Sequence, residues 1–189
     1  MRLFIAVDLD AAAREAIGAE QKRLGAAIRQ GEGSNLKWVR PEQIHLTLMF
    51  LGEVKEATAH SVVAAMQQPI AQPPFDLEFA GAGVFPPRGA PNVLWIGVTG
   101  GAREVVEQQR ELARRVAELG IAIEQRPFHP HLTLARWRAS RPSDRGRVLS
   151  AARDGLIARV HVDHAALYWS HLSAAGPTYT PLARATLTP

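Results

Sequence analysis

The apolar positions along this chain change their spacing repeatedly, and these changes divide it into short strands and amphipathic helices. Apolar residues at every third or fourth position predict helices over residues 11–28, 55–68 and 102–119, with a shorter helix over residues 148–155. Short apolar runs predict strands over residues 2–9, 37–39, 44–51, 75–80, 81–84, 93–98, 121–124, 131–137, 161–171 and 179–187. Glycine and proline predict the turns between them, including a loop over residues 31–35 and a turn at Gly176-Pro177.

The two halves of this element order repeat each other. Each half contains a helix, a short strand, a proline-bearing turn and then a strand that reads H-L-T-L. The first copy begins at His45 and the second at His131, which lie 86 residues apart (131 − 45). Because the order does not follow the regular strand–helix alternation of a doubly wound sheet, it predicts an α+β fold of two related lobes. No linker is long enough to separate the halves, so we expect one bilobal domain over residues 1–189.

Each H-L-T-L copy places a titratable ring and a hydroxyl on one face of a strand. Side chains two positions apart in a strand point to the same face, so the histidine and the threonine of each copy share a face. The two leucines of each copy then point the other way, into a core. If the two strands lie side by side or face to face, one cleft is lined by His45, Thr47, His131 and Thr133.

A pair of histidines in such a cleft suits acid–base chemistry on a phosphate. The ordinary histidine pKa, about 6.5, allows one ring to accept a proton while the other donates one. Each role is typically worth about 10²–10⁴ in rate, and threonine hydroxyls can donate hydrogen bonds to phosphate oxygens. One H-L-T-L copy alone is commonplace in strands. A repeat preserved only for packing, however, would keep the leucines and not the polar face.

Metal and nucleotide-loop chemistry have weaker support in the sequence. His129 with His131, and His161 with His164, have spacings that could bind a metal, but neither pair has a third ligand at an obvious spacing. The run at residues 81–83 leads into a strand and lacks the third glycine of a nucleotide-binding loop. We therefore expect neither a metal nor a cofactor.

Composition narrows the class of protein further. Cysteine is absent, which excludes disulfides and thiolate metal sites and, without an export signal, favours a cytoplasmic protein. No apolar run is long enough to predict a membrane span. The net charge of +4 gives a mild attraction to polyanions such as nucleic acid, although an arginine-rich proteome would explain it equally well.

Several blocks of the sequence, in order, resemble the RNA 2′,3′-cyclic phosphodiesterase family, also called 2′-5′ RNA ligases, of the two-histidine phosphoesterase superfamily. The two motif blocks read P-E-Q-I-H-L-T-L-M-F-L-G at residues 41–52 and F-H-P-H-L-T-L-A-R at residues 128–136. The supporting blocks lie at residues 2–7, 38–39, 93–98, 167–170 and 176–179. The resemblance therefore runs nearly from end to end of the chain.

The resemblance implies a bilobal, pseudo-symmetric fold in which both motifs line a central groove. It implies that His45 is the proton donor and His131 the proton acceptor, with Thr47, Thr133 and Arg136 contacting phosphate. The implied reaction is metal-independent hydrolysis of RNA 2′,3′-cyclic phosphate ends, tRNA fragments among them, by a monomer. The same site run in reverse would be an ATP-independent 2′-5′ RNA ligase, and a 2′-5′ oligonucleotide phosphodiesterase is a further alternative. An alternative of another class is an RNA-end binding module without catalysis.

Two positions depart from the family pattern or fit it poorly. Met49 stands where family members often have a basic residue, and by strict alternation it shares the face of His45. Arg136 matches the family, but by the same alternation it falls on the face opposite His131 and reaches the site only if the strand twists or ends there.

Aromatic and basic residues near the motifs are candidates for RNA contacts. Phe50, Trp95, Trp137, Tyr168 and Trp169 could stack a base, although we expect Phe50 and Trp95 to be buried in the core. Residues 138–147 are predicted as a basic, loop-like segment. Its arginines (Arg138, Arg141, Arg145 and Arg147) could follow an RNA backbone or could simply be solvated.

Overall fold

The computed structural model describes residues 1–28, 33–173 and 176–189, which contain ten β-strands, four α-helices and one turn of 3₁₀ helix. The helices are α1 (Ala11–Ala27), α2 (Glu56–Met66), α3 (Ala102–Glu118) and α4 (Pro142–Ala151), and the 3₁₀ turn is Pro41–Gln43. The strands are β1 (Arg2–Val7), β2 (Asn35–Trp38), β3 (Leu46–Glu53), β4 (Ile70–Ala71), β5 (Phe75–Phe85), β6 (Val93–Gly100), β7 (His131–Ala139), β8 (Leu156–Val162), β9 (His164–Ser173) and β10 (Gly176–Thr188). Within the described residues, no helix is both long and apolar enough to cross a membrane.

Three predicted elements are wrong. Residues 121–124 do not form a strand, because no ladder partner meets them within the described ranges. The strand predicted over residues 161–171 is two strands, β8 and β9, that separate at Asp163. The segment predicted as a basic loop holds most of α4, whose first turn is closed when the Arg141 backbone N–H donates to the Asp144 carboxylate at 2.8 Å.

Other predicted elements are confirmed with small shifts at their ends. Helices α1, α2 and α3 lie within the predicted ranges, and the two strands predicted over residues 75–84 form the single strand β5. The predicted loop over residues 31–35 lies partly outside the described residues. The turn predicted at Gly176-Pro177 is also wrong, because both residues belong to β10 and pair with Ser173 and Leu172 of β9. Residues 174–175 lie outside the described residues.

All ten strands form one sheet that is divided into two lobes. The strand order is β4-β10-β9-β1-β3-β7-β6-β5-β8, with β2 paired to β7. Lobe one comprises β4, β10, β9, β1 and β3, and lobe two comprises β7, β6, β5, β8 and β2. The recorded pairing between the lobes is antiparallel and consists of Leu46 in β3 against Leu132 in β7. Because β3 and β7 meet only near their starts and then diverge, a cleft opens between the lobes.

The helices cover the sheet on the side away from this cleft, and two of them reach across the lobe boundary. Helix α1 follows β1 of lobe one but packs on β8 and α4 of lobe two. Its start is capped by the Asp10 carboxylate, which accepts from the Ala13 N–H at 2.7 Å. Helix α3 follows β6 of lobe two and packs on β5, on α2 and on β3 of lobe one. The apolar faces of sheet and helices bury one continuous core.

Matching β-bulges interrupt β3 and β7 just after each H-L-T-L histidine–threonine pair. Two adjacent residues of β1 pair with Thr47 and Met49 of β3, so Leu48 has no partner of its own in β1. In the same way, two adjacent residues of β6 pair with Thr133 and Ala135 of β7. Each bulge therefore inserts one extra residue, Leu48 in β3 and Leu134 in β7. In both strands the side chain of the extra residue and that of the next residue, Met49 or Ala135, are buried. An extra residue in one strand reverses the alternation beyond it, which re-aims every later side chain.

Candidate active site

The four polar side chains of the H-L-T-L motifs lie on the cleft face of the sheet. His45 immediately precedes β3, and His131 is the first residue of β7. Both histidines and both threonines are half-buried, whereas all four motif leucines are buried on the helix side. Within the described residues, neither Thr47 nor Thr133 has a side-chain hydrogen bond, so both hydroxyls can donate to a bound group.

The Leu46–Leu132 pairing determines how the two motifs face each other. Continued by one residue on each side, its antiparallel register sets His45 against Thr133 and Thr47 against His131. In such a register, Cβ atoms are about 4.5–5.5 Å apart across the ladder and about 7–8 Å apart on the diagonal. A ladder continued in this register places the two imidazoles on one diagonal of a square and the two hydroxyls on the other.

Equivalent backbone hydrogen bonds fix the tautomer of both rings. The Nδ1 atom of His45 lies 2.9 Å from the Gln43 carbonyl, and the Nδ1 atom of His131 lies 2.7 Å from the His129 carbonyl. A carbonyl oxygen can only accept, so each Nδ1 carries a hydrogen. The Nε2 atom of each ring therefore remains for proton transfer.

Aromatic side chains hold each ring in its own lobe. Phe4 stacks on His45 with 4.9 Å between ring centroids, and Tyr179 meets the same ring edge-on at 5.4 Å. In lobe two, the rings of Phe85 and Trp95 approach His131 at 5.1 and 6.4 Å. These contacts restrict rotation of the imidazoles and exclude part of the water around them.

Burial is the main reason why the pKa of each histidine is below its ordinary value. For His45, desolvation lowers the pKa, and the Gln43 carbonyl and the Asp8 carboxylate partly offset this, while Arg14 lowers it further. A lowered pKa favours the neutral form of each ring, in which a histidine can act as a base.

The charge beside His131 has the opposite sign. Desolvation lowers the pKa of His131, the His129 carbonyl raises it, and the positive charge of Arg136 lowers it further. The nearby acid thus favours the protonated form of His45, and the nearby guanidinium favours the neutral form of His131. This asymmetry suits His45 to donating a proton and His131 to accepting one.

The bulges overturn three expectations from strict alternation. Met49 is buried, at 8% exposure, and does not share the face of His45. Phe50 instead lies on the cleft face opposite Phe4 and is 61% exposed, so its predicted burial in the core is wrong. Its equivalent in lobe two, Arg136, is turned to the face of Thr133 and is exposed.

Trp95 is also absent from the buried core. It is half-buried and lies opposite Thr133, with its ring across Gly83, where an added Cβ would come within 2.3 Å of the ring. Only glycine leaves room for this ring at that position. The predicted core burial of Trp95 is therefore wrong, and its ring forms part of the cleft wall near His131.

A buried amide that the sequence did not mark as functional supports the bulge of lobe two. The Gln21 side chain, 7% exposed, donates through Nε2 to the Val39 carbonyl at 2.8 Å and to the Leu134 carbonyl at 3.0 Å. Leu134 is the extra residue of the bulge, and its carbonyl also accepts from the Val39 N–H at 2.8 Å. The signal in the sequence is a polar residue in the apolar stripe of α1, four positions after Ile17.

The sequence did not mark Asp8 as a site residue, and its partner in the structure is Tyr168, which was predicted only as a candidate for stacking a base. The Tyr168 hydroxyl donates to the Asp8 carboxylate, with oxygen–oxygen distances of 2.6 and 2.7 Å. Desolvation, followed by this hydrogen bond, raises the pKa of Tyr168. Both residues line a cavity of about 440 Å³ beside His45, whose aromatic wall also includes Phe4 and Tyr179.

A second cavity of about 540 Å³ lies far from this chemistry, between the end of α1 and α4. Its lining consists of small residues and Arg147, whose guanidinium is paired to Asp144 at 2.8 Å. It offers neither an aromatic wall nor an unpaired charge, so we place the site in the cleft and not here.

The histidine pairs considered as metal ligands point to other partners. His161 Nδ1 lies 2.8 Å from Asp76, and His164 Nδ1 lies 2.5 Å from Asp163. Among residues 1–28, 33–173 and 176–189, no three acidic or histidine side chains gather closely enough to hold a metal ion.

Comparisons of the sequence with known proteins agree with one another. The sequence model of the 2′-5′ RNA ligase superfamily matches residues 12–174. The chain is 36% identical over 146 residues to the RNA 2′,3′-cyclic phosphodiesterase of Aquifex aeolicus, which covers 76% of this chain and 78% of that protein. It is 31% identical over 187 residues to the protein of the same name from Escherichia coli, with coverage of 99% and 97%.

Solved structures share the whole architecture. The crystal structure of TT0787 from Thermus thermophilus superposes with a TM-score of 0.78 and 32% identity, covering 98% of this chain and 97% of that one. Escherichia coli LigT complexed with 3′-AMP superposes with a TM-score of 0.75 and 30% identity, covering 100% and 98%. Coverage of this extent includes both lobes and the cleft, and it confirms the predicted fold class.

Proposed function

The chain belongs to the 2′-5′ RNA ligase superfamily, and we propose that it hydrolyses 2′,3′-cyclic phosphate ends of RNA to 2′-phosphomonoesters without a metal. Its similarity to proteins named RNA 2′,3′-cyclic phosphodiesterase supports this activity. The substrate class is RNA, and the reaction is the opening of a cyclic phosphodiester by water.

In the proposed mechanism, the two histidines carry protons in opposite directions. His131 Nε2 accepts a proton from water as the water oxygen forms its bond to phosphorus. His45 Nε2, which is protonated at the start, donates to the 3′ oxygen as the bond between phosphorus and that oxygen breaks. Each Nδ1–H keeps donating to its backbone carbonyl throughout, so neither ring has to turn.

The phosphate itself is held by the remaining polar groups of the cleft. The hydroxyls of Thr47 and Thr133 donate to the non-bridging oxygens, on which negative charge grows as the fifth bond forms. The Arg136 guanidinium adds a positive charge from lobe two. In this arrangement the departing 3′ oxygen, and with it the terminal nucleoside, lies on the side of His45. The 440 Å³ cavity beside His45, with its aromatic wall, accommodates that nucleoside.

The observation that carries the proposal is the matched pair of imidazoles. Each histidine is tied through Nδ1 to the carbonyl two residues before it, in strands that meet at equivalent leucines. A module that only bound phosphate would not require both rings to present Nε2 from opposite lobes.

The test is hydrolysis of a nucleoside 2′,3′-cyclic phosphate in the presence of EDTA, with the product resolved as 2′- or 3′-phosphate. We expect turnover to the 2′-phosphate that the chelator does not reduce. A 3′-phosphate product would reverse the proposed orientation of the substrate. Loss of activity in EDTA would indicate a metalloenzyme, and RNA binding without any turnover would indicate a non-catalytic module.

A further inference from the structure

The two motif histidines are attached to the sheet in different ways. His131 is the first residue of β7 and pairs with Gly97 of β6, so its backbone is fixed by a ladder. His45 precedes β3, and among the described residues the ladder between β1 and β3 reaches only to Leu46. The backbone of His45 therefore takes its position from the 3₁₀ turn before it, Pro41–Gln43, which also carries the carbonyl that orients its ring.

Helix α1 holds one side of this turn. The Arg14 guanidinium donates through Nη1 to the Glu42 carbonyl at 2.8 Å and through Nε to the Leu9 carbonyl at 2.9 Å. The Pro41 ring packs beside Gly18 of α1, where an added Cβ would stand 3.5 Å from the ring. One side chain of α1 thus joins the turn to the segment that follows β1.

The Gln43 side chain holds the other side of the turn. Its Nε2 atom donates to the Pro177 carbonyl at 2.6 Å, across 134 residues of sequence. Pro177 lies near the start of β10, and both β9 and β1 separate β10 from β3 in the sheet. The end of the β9–β10 hairpin therefore curves over the cleft face of lobe one and reaches the turn.

The same hairpin forms one wall of the cavity beside His45. Pro177, Thr178 and Tyr179 line that cavity together with Gln43. Tyr179 also meets the His45 ring edge-on at 5.4 Å. In the proposed mechanism the terminal nucleoside leaves on this side and lies against this wall. Gln43 therefore joins the wall, through its side chain, to the acid, through its carbonyl.

Lobe two has no such connection at the equivalent position. His129 stands two residues before His131, as Gln43 stands before His45. Its side chain is exposed and makes no hydrogen bond within the described ranges. A tether is not needed there, because His131 already belongs to a ladder. The Gln43 side chain therefore supplies for the backbone before His45 the fixed contact that β6 supplies for His131.

We propose, building on the proposed function, that Gln43 is the positioning residue of the acid. Its amide holds the turn against the hairpin, and its carbonyl then directs His45 Nε2 towards the 3′ oxygen of a nucleoside that lies against the same hairpin. Gln43 does not touch the reacting atoms, so it acts through His45. Because a misplacement of about 1 Å can cost on the order of 10² in rate, loss of this one hydrogen bond should be measurable in kcat.

The experiment separates alignment of the acid from binding and from folding. Gln43→Leu removes the donor at a similar side-chain size. Hydrolysis is measured on a nucleoside 2′,3′-cyclic phosphate and on its analogue with sulfur in place of the bridging 3′ oxygen. A thiolate leaves without being protonated, so the sulfur substrate does not require the acid. The control is Ser173→Ala, which removes the 2.9 Å hydrogen bond from the Ser173 hydroxyl to the Gly176 carbonyl within the hairpin.

We expect Gln43→Leu to lower kcat for the oxygen substrate by about 10–10², while KM stays within about threefold. For the sulfur substrate kcat should fall by less than about threefold, which also shows that the variant is folded. In a protein that already carries His45→Ala, Gln43→Leu should lower kcat no further, because it acts through the ring that has been removed. Ser173→Ala should match the parent on both substrates.

An equal loss of kcat on both substrates would overturn the inference, because the defect would not lie in protonating the leaving group. An unchanged kcat, with or without a rise in KM, would show that Gln43 does no more than shape the nucleoside cavity. A further loss in the His45→Ala background, or the same selective loss in Ser173→Ala, would also overturn it. Failure of the proposed function is a separate outcome, namely a parent protein that does not hydrolyse the oxygen substrate.

Discussion

Leu46 of the first H-L-T-L motif pairs directly with Leu132 of the second, so the sheet crosses from one lobe to the other at equivalent residues. The pseudo-two-fold axis therefore passes between these two leucines. His45 and His131, each one position before its leucine, are related by this axis and approach the cleft from opposite lobes. The symmetry of the backbone places the two imidazoles equivalently, and the charged side chains around them, Asp8 and Arg136, give them different electrostatic surroundings.

Both histidines should be indispensable, and their losses should not add. His45→Ala and His131→Ala should each lower kcat by about 10²–10⁴, because each removes one proton-transfer role. The double variant should be little worse than the poorer single one, since the two groups act on one step. His60→Ala, on the exposed face of α2, is the control and should leave kcat unchanged. Single variants that retained a tenth of the parent rate would contradict a two-histidine mechanism.

The bulge that aims Arg136 should depend on Gln21. Gln21→Met removes both hydrogen bonds to the bulge at nearly constant volume and should let Arg136 move away from His131. Because the Arg136 charge lowers the pKa of His131, and His131 works as the neutral base, the acid limb of kcat/KM should move to higher pH. The measurement is the pH profile for a cyclic mononucleotide.

Gln108 provides the matched control for this prediction. It is a fully buried glutamine on α3 whose amide atoms find no partner among the described residues. Gln108→Met should leave the pH profile unchanged and should not lower the melting temperature. If the pH profile of Gln21→Met were identical to that of the parent, Gln21 would not position Arg136. The same would follow if Gln21→Met shifted the acid limb equally in a protein that already carries Arg136→Ala.

The Asp8 carboxylate should determine where the alkaline limb of the kcat/KM pH profile lies. Its negative charge raises the pKa of His45, so Asp8→Asn should lower that pKa. His45 donates a proton and must be protonated, so the alkaline limb of kcat/KM should move to lower pH. Glu42→Gln is the control, because Glu42 lines the same cavity but does not contribute to the pKa shift of His45. An alkaline limb that stayed in place in Asp8→Asn would exclude His45 as the acid.

The exposed ring of Phe50 should bind a base of the substrate. Phe50→Ala should raise KM for a cyclic-ended dinucleotide by the loss of stacking, worth about 1–3 kcal/mol, while changing the melting temperature little. Leu172→Ala, at another apolar side chain that is 65% exposed, is the control. Equal KM values for the parent and Phe50→Ala would show that the ring is not a stacking surface.

The end of α2 should depend on Arg115 of α3. Its guanidinium donates to the carbonyls of Ala65, Gln68 and Pro69 at 3.1, 2.8 and 2.7 Å. The side chain is only 13% exposed, so Arg115→Ala should cost about 1–3 kcal/mol of unfolding free energy. Arg114→Ala should have a clearly smaller effect, because the Arg114 side chain is 57% exposed and its partners among the described residues are Glu111 and Glu118. Chemical denaturation of the two variants makes the comparison.

The sequence was sufficient for most of the helices and strands and for the polar faces of the motifs, because these follow from the spacing of residues within one element. It could not reveal the bulges. Leu48-Met49 and Leu134-Ala135 are pairs of adjacent apolar residues, which suit a strand buried on both faces as well as a strand with one residue inserted. Only the ladder partners decide between these, and with them the direction of Phe50 and Arg136.

Contacts between distant segments were equally hidden. Asp8 and Tyr168 are 160 residues apart, and nothing local indicates that they share a hydrogen bond. The part of α4 before residue 148 was missed because its arginines suggested a solvated loop, although Pro142 in its first turn and Asp144 two positions later are ordinary helix-start residues. The prediction gave more weight to the arginines of this segment than to its helix-start residues.

The exchange of α1 and α3 between the lobes bears on whether a half-length polypeptide could exist alone. Residues from the first half supply the cover for β8, and β9 returns from the end of the chain to pair with β1, with β10 on its outer side. A fragment that ended after β4 would lack both the surface that α1 packs on and β9, one of the two ladder neighbours of β1. Such a fragment would acquire a buried interior only by association with a copy of itself or with the missing half, in the manner of a domain-swapped dimer.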